Sequence, residues 1–189
     1  MEDKKNTRQQ LADSLRELMR VRSFDHITVR DIVDHCGVGR QTFYYYFQDK
    51  YDLMNWIYTQ ETRPYVEQVE AGMDWADGLT EICRLFWREK GFYRSLLREV
   101  GPNTLSAFLR ELAVDLAMVG IRRLTESRGI DAERLRFTAD FCAIALVGML
   151  NEWAERGMKE DPAVFVQKMR DILRGSVQAE IQHPGMPKF

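Results

Sequence analysis

Residues 40–46 combine side chains that are suited to hydrogen bonding with nucleic acid. They include an arginine, a glutamine, a threonine and three consecutive tyrosines: Arg40, Gln41, Thr42, Tyr44, Tyr45 and Tyr46. Arginine and glutamine bind phosphates or base edges, and a tyrosine offers its hydroxyl to a phosphate and its ring to a thymine methyl group. This composition indicates binding to double-stranded DNA. Alternatively, the tyrosines could cover the core of a small helical unit.

The residues before this stretch predict a short helix that ends in a tight turn. Thr28 can cap the helix with its hydroxyl, and Ile32, Val33 and Cys36 follow at the spacing of one buried helical face. Gly37 comes next, where a turn between two helices needs a residue that tolerates a positive φ. The pattern predicts the first half of a helix-turn-helix.

A second helix is predicted from Gly39 or Arg40 onward. Phe43 and Phe47 lie one turn apart and can seat this helix against the first. On a helical wheel the opposite side carries Gln41, Thr42 and Tyr45, with Arg40, Tyr44 and Tyr46 on the flanks. The side chains suited to DNA would therefore face outward.

Residues 7–53 resemble the DNA-binding domain of the TetR family of bacterial transcriptional regulators. The matching features are a helix with Leu11, Ala12, Leu15, Leu18 and Met19, the segments 23–25, 27–32, 37–38 and 43–47, and finally Lys50 and Leu53. The resemblance implies that Thr28 and Arg30 touch the DNA backbone or a nearby base. It places Arg40, Gln41, Thr42, Tyr45 and Tyr46 in the recognition helix and implies phosphate contacts from Tyr44 and Lys50.

Two positions depart from the family pattern. Cys36 replaces the usual alanine before the glycine, and Gly39 replaces the frequent serine or proline at the start of the recognition helix. Gly39 lacks a capping hydroxyl, although its backbone amide can still contact a phosphate.

Composition and motifs exclude several other classes of protein. The net charge of -2 argues against indiscriminate coating of nucleic acid. The three cysteines form neither a disulfide framework nor a zinc motif, which predicts a reducing cytoplasm. The longest apolar run, residues 141–150, is about half of what a membrane span needs. Because the chain lacks a glycine-rich phosphate loop, a nucleophile elbow and the HExxH and CxxC motifs, we expect no enzyme activity, cofactor or metal.

The whole chain is predicted to be all-α, with a three-helix DNA-binding domain over residues 1–51 and a larger helical bundle over 52–189. A connecting helix from Lys50 or Asp52 to about Gly72 should break or kink at Pro64 unless a new helix opens there. Further helices are predicted over residues 77–90, 92–100, 104–127, 131–156 and 162–180, with a loose tail after His183.

Two late apolar stripes predict a homodimer interface: Phe137, Phe141, Ile144, Ala145 and Gly148, and then Phe165, Met169, Ile172 and Leu173. The resemblance implies that the last two long helices pair with their copies in a four-helix interface. DNA geometry also favours a dimer, because two recognition helices about 34–36 Å apart can enter successive major grooves. The alternative is that both stripes face the protein's own core.

Soft and aromatic side chains in the bundle make a candidate ligand pocket: Cys83, Phe86, Trp87, Phe92, Tyr93, Phe108, Met118 and Met149. Such residues also fill cores, since a helical bundle must bury them in any case. Motifs at residues 91–93, 96–97 and 153–157 are similar to a subgroup of the family named for regulation of dihydroxyacetone kinase.

The sequence therefore predicts a cytoplasmic, homodimeric TetR-like regulator that binds a pseudo-palindromic operator. Repression modulated by a small ligand is the main prediction. One alternative is a co-activator whose C-terminal domain docks a protein partner, and another is a helical interaction protein that has lost DNA binding.

Overall fold

The chain is helical over nearly all of the residues that the computed structural model describes, namely 2–99, 101–125 and 132–182. The helices are α1 (Glu2–Leu18), α2 (Val29–Cys36), α3 (Arg40–Tyr46), α4 (Lys50–Glu70), α5 (Trp75–Arg88), α6 (Lys90–Leu97), α7 (Leu105–Thr125), α8 (Ala132–Glu155) and α9 (Pro162–Gln182). A 3-10 turn, Phe24–His26, lies between α1 and α2, and these ranges contain no strand. The predicted all-α class is confirmed. The predicted tail after His183 and the predicted helix ends at residues 100, 127 and 131 lie outside the described residues.

The connecting helix α4 continues through Pro64 to Glu70, so of the break or kink predicted at this proline the break does not occur. Pro64 and Gln60 are both exposed. The Gln60 carbonyl, which loses its amide donor at a proline, can therefore bond to water. One long helix consequently connects the N-terminal helices to the rest of the chain.

Packing against α5 also holds α4 in place. A Cβ atom built on Gly78 of α5 would lie 2.3 Å from Cγ2 of Val69, so any other residue at position 78 would force the Val69 side chain to shift. α4 thereby contacts both the N-terminal helices and the body formed by α5–α9.

The buried apolar side chains form one main cluster that runs from α1 to α9. Leu11 and Phe24 from the N-terminal helices belong to the same cluster as Phe86 of α5 and Trp153 of α8. A second, smaller cluster joins α7 to α8 around Val114 and Ala139. None of the described helices combines the length and the apolar character that a membrane-spanning helix requires.

Candidate nucleic-acid interface

A reciprocal cap starts α2 at Thr28. The Thr28 hydroxyl accepts a hydrogen bond from the Asp31 amide at 3.2 Å, and the Asp31 carboxylate accepts one from the Thr28 amide at 2.8 Å. Arg22 donates to the other Asp31 oxygen at 3.1 Å. The Thr28 hydroxyl, the Thr28 amide and Arg22 together lower the pKa of Asp31 to about 2. The predicted N-cap at Thr28 is confirmed, and the cap orients the first turn of α2.

Replacing Thr28 by alanine is expected to destabilise the fold by about 1 kcal/mol, because the start of α2 loses its capping hydroxyl. Urea unfolding at neutral pH measures this. Thr59→Ala on α4 is the matched control, because the exposed Thr59 hydroxyl only bonds back to the Asn55 carbonyl within its own helix. Equal losses of stability in the two variants would contradict a specific capping role.

Asp31 also makes the stability of the fold depend on pH. Its folded pKa of about 2 lies below the ordinary 3.8, so its ionised form stabilises the fold above about pH 4 and loses this effect as the pH falls toward 2. Unfolding free energies measured across this range should therefore fall less steeply for Asp31→Asn than for the unmodified protein. Parallel curves of unfolding free energy against pH for the two proteins would show that the cap does not need the negative charge of Asp31.

The turn after α2 has the geometry that Gly37 predicts. Gly37 adopts a φ of 76°, and its amide bonds to the Val33 carbonyl at 2.9 Å. Val38 is half-buried against the main apolar cluster. The chain thus changes direction between α2 and α3, with the amides of Gly37 and Val38 both bonded to the Val33 carbonyl.

Two phenylalanines fix the orientation of α3. Phe43 and Phe47 are buried with their ring centroids 5.8 Å apart, and Phe47 also meets the Trp56 ring of α4 at 5.8 Å. Opposite them Tyr44 and Tyr45 are 57% and 65% exposed. The helix therefore keeps its apolar side in the core and presents tyrosines to solvent.

The remaining candidate DNA contacts of α3 differ in exposure. Arg40 and Gln41 are exposed, whereas Thr42 and Tyr46 are half-buried. Gly39 is the N-cap of α3, is exposed and has no side-chain hydrogen bond at the cap. The alternative core-covering role thus applies to Tyr46, which packs against the main cluster, more than to its two neighbours.

Arg30 lies on the exposed side of α2, in the first turn. Its Nε atom is 3.4 Å from the Asp34 carboxylate one turn later, and both side chains are mostly exposed. Such a pair is weak in water, so the guanidinium can exchange this carboxylate for a phosphate at little cost.

Lys50 makes contacts that its position in the sequence does not suggest. Its Nζ atom donates to the carbonyls of Phe24, Asp25 and Ile27 at 2.8, 3.0 and 2.9 Å. Burial lowers the pKa of Lys50, while Glu99 and other nearby carboxylates oppose this shift. An ammonium has three donors, so a phosphate contact from Lys50 would have to displace one of these carbonyls.

Arg8 is a residue near this surface that sequence reasoning missed. Its guanidinium carbon lies 5.4 Å from the centre of the Tyr46 ring, which brings the start of α1 beside α3. No local pattern indicates this contact, because the two residues are far apart in the chain.

The structure separates the predicted dimer residues into two groups. Phe137, Phe141, Ile144 and Gly148 are exposed along one face of α8, with Ala145 half-buried at its side, and Ile172 of α9 is 70% exposed with Leu173 half-buried beside it. Phe165 and Met169 instead lie in the protein's own core. Phe165 is buried because it stacks on Trp153 of α8 at 5.1 Å.

The predicted pocket residues are likewise divided. Cys83, Phe86, Phe92 and Tyr93 are buried together, and the half-buried Phe108 joins them through Tyr58, whose ring is 5.6 Å away. Trp87 and Met149 are exposed, and Met118 belongs to the separate cluster between α7 and α8. A cleft of about 340 Å³ opens between α5 and α9, but none of the predicted pocket residues lines it.

Two family models match most of the chain. Residues 11–56 match the model described as bacterial regulatory proteins, tetR family. Residues 73–175 match the model described as transcriptional regulator C-terminal region. The first range contains α2 and α3, and the second contains most of the body.

A curated relative is similar over part of the chain. It is the HTH-type dhaKLM operon transcriptional activator DhaS of Lactococcus lactis, 27% identical over 90 residues, which are 48% of each chain. The match therefore spans about half the length of that protein.

Solved structures share the fold over nearly the whole chain. The dihydroxyacetone kinase operon activator DhaS has a TM-score of 0.67 at 20% identity, with 92% of this chain and 97% of that chain covered. A TetR transcriptional regulator from Streptococcus agalactiae has a TM-score of 0.66 at 18% identity, with 91% and 96% covered. Thermus thermophilus FadR, a repressor solved with lauroyl-CoA, has a TM-score of 0.61 at 20% identity, with 88% and 92% covered.

Proposed function

Because this chain belongs to the TetR family of bacterial transcriptional regulators, we propose that it binds a pseudo-palindromic operator as a homodimer. In this proposal each subunit inserts α3 into the major groove, and the two copies enter successive grooves. Residues 1–51 bind the DNA, and residues 52–189 form the dimer and receive the regulatory signal in the cytoplasm.

The observation that carries the proposal is the two-sided character of α3. Phe43 and Phe47 anchor the helix in the core, while Gln41, Tyr44 and Tyr45 face solvent on a rigid element. Side chains on such a helix can reach base edges without the cost of ordering a loop.

The other DNA contacts surround α3 in this proposal. Thr28 and Arg30 at the start of α2 reach the backbone or a neighbouring base, and Arg40, Thr42 and Tyr46 support contacts from α3. The bare amide of Gly39 meets a phosphate. Lys50 contacts a phosphate only if the phosphate replaces one of the three backbone carbonyls that accept hydrogen bonds from its ammonium group.

The exposed face of α8 supports the homodimer. Phe137, Phe141 and Ile144 lie along one helix with most of their surfaces in water, although large apolar side chains gain about 1.5–3 kcal/mol each on burial. Packing this face and Ile172 of α9 against their copies would bury them.

Regulation is proposed to act through α4. A molecule bound to the body would tilt α4, change the distance between the two α3 helices and thereby lower operator affinity. Repression relieved by a small ligand is the main version. Thermus thermophilus FadR, which shares this fold, is a repressor solved in complex with lauroyl-CoA.

A second candidate function, docking of a protein partner, is supported by the packing of side chains in the body. Phe86 and Tyr93, two of the predicted pocket residues, stack at 4.3 Å, and the Tyr58 ring lies 6.1 Å from that of Phe86, so aromatic rings fill this part of the body. Such a body could instead dock a protein partner and act in activation. The similar protein DhaS is an activator.

The proposal is tested by fluorescence anisotropy with the DNA upstream of the protein's own gene and a scrambled duplex of the same length, over a salt series. Preference for the upstream DNA that persists at moderate salt is the expected result. Equal binding to both duplexes that disappears as salt rises would contradict recognition of that DNA.

A further inference from the structure

Side chains from α1, α4 and α6 meet where the DNA-binding helices join the body. Arg16 of α1 donates a hydrogen bond to one carboxylate oxygen of Glu61 on α4. The hydroxyl of Tyr93 on α6 donates to the other oxygen of the same carboxylate. We call Arg16, Glu61 and Tyr93 the Glu61 junction.

The arginine of this junction is held on several sides. Its guanidinium carbon lies 4.3 Å from the centre of the Phe92 ring, and a second nitrogen lies 3.7 Å from the Glu89 carboxylate. The Arg16 side chain is only 19% exposed. Partial removal from water strengthens these interactions relative to a surface ion pair, so α1 is bound firmly to the α4–α6 side of the molecule.

The tyrosine of the junction belongs to the core of the body. Tyr93 is fully buried, stacks on Phe86 at 4.3 Å and meets Phe92 at 5.1 Å. Burial, reinforced by the Glu61 carboxylate, raises the pKa of Tyr93 above its ordinary value. The hydroxyl therefore keeps its proton and remains the donor to Glu61.

The two donors to Glu61 lie in different parts of the molecule. Arg16 lies between the buried Leu15 and Leu18 on the helix that packs against α2, whereas Tyr93 packs inside the body. A shift of the Phe86–Tyr93 stack would move one oxygen of the carboxylate whose other oxygen holds α1. The Glu61 carboxylate thus contacts both the N-terminal helices and the body.

We propose that the Glu61 junction couples the packing of the body to the position of the DNA-binding helices. The Tyr93 hydroxyl orients the Glu61 carboxylate, and the carboxylate holds Arg16 and α1 at the angle that operator binding requires. Arg16, Glu61 and Tyr93 are positioning residues, and their effect on DNA rests on the function proposed above.

Tyr93→Phe is the central variant, because it removes one hydroxyl and keeps the ring that stacks on Phe86. Hydrogen exchange of the α1 amides in the full-length protein is the first readout, since it needs no operator. Hydrogen exchange in α1 is expected to become roughly tenfold faster, because the variant loses a hydrogen bond to a charged group. Operator affinity is expected to fall by a similar factor.

Arg63→Ala is the matched control. Arg63 also pairs with a glutamate on α4, but its partner Glu67 is one turn away on the same exposed helix surface. This variant should leave both α1 exchange and operator affinity unchanged. Glu61→Gln should reproduce the effect of Tyr93→Phe, and the double variant should add little, because both changes break the same unit.

A purely local role for Tyr93 makes a different prediction. Faster exchange confined to α5 and α6, with α1 unchanged, would overturn the coupling. If the unmodified protein bound no operator but α1 still responded to Tyr93→Phe, the junction would stand and the proposed function would fail. If α1 exchange and operator binding were both normal in Tyr93→Phe, the coupling by the Glu61 junction would be rejected and the proposed function would stand.

Discussion

Glutamate in place of Phe141 is expected to convert the protein into a monomer and to abolish specific operator binding. Phe141 is more than half exposed in the single chain, in the middle of the apolar face of α8. Losing the burial of the exposed part of Phe141 in both copies would cost about 2–3 kcal/mol of dimer stability, and desolvation of the two new carboxylates would add a further cost. The dimer dissociation constant should thus rise by at least about a hundredfold. Sedimentation velocity over a range of concentrations measures this change.

Met73→Glu is the control for the dimer prediction. Met73 is an exposed apolar residue in the turn between α4 and α5, outside α8 and α9. This variant should remain a dimer and bind the operator normally. Circular dichroism should show that Phe141→Glu keeps its helices, because the substitution is on the surface of the protomer. A dimeric Phe141→Glu protein would refute the assignment of this face.

The second large effect is expected at Gln41 of α3. Gln41→Ala should lose operator affinity and relax the preference for one base pair in each half-site, since glutamine can bind a base edge through two hydrogen bonds. Each such contact is worth about 1–3 kcal/mol, and the dimer makes it twice, so affinity should fall by at least about 30-fold. Anisotropy with operator duplexes changed at single base pairs measures both effects.

Of the two contacts proposed for Arg30, the one with the DNA backbone carries no sequence information, so Arg30→Ala is the matched comparison. It should weaken binding to operator and scrambled duplexes alike and reduce the dependence of affinity on salt by about one phosphate contact per subunit. Identical base preferences in Gln41→Ala and the unmodified protein would show that Gln41 does not read the sequence.

The helix-turn-helix was accessible from the sequence because its signals are local. A cap at Thr28, a positive φ at Gly37 and the Phe43–Phe47 pair each depend on residues within about one helical turn of one another. The structure confirms these elements, and the family models match the same region. The DNA contacts assigned to Arg40, Gln41 and their neighbours remain predictions.

The roles of apolar residues in the body were harder to predict from the sequence. Apolar periodicity shows that a helix has a buried side, but it does not show what covers that side. Phe165 and Phe141 fit the same kind of stripe, yet Phe165 stacks on Trp153 while Phe141 is exposed. In the same way Phe86 and Trp87 are adjacent in sequence, but only Phe86 enters the aromatic core.

The sequence by itself therefore determined the helical class and which side of α3 faces the core, since local hydrogen bonds and helical periodicity decide these features. Its motifs carried the resemblance to the family, which the family models then matched. Only the tertiary structure decided which apolar residues face solvent, how Lys50 is bound and how the body meets the DNA-binding helices. Arg16 and Glu61 are separated by 45 residues, and Glu61 and Tyr93 by 32. Contacts at such separations depend on how whole helices pack, which no short stretch of sequence specifies.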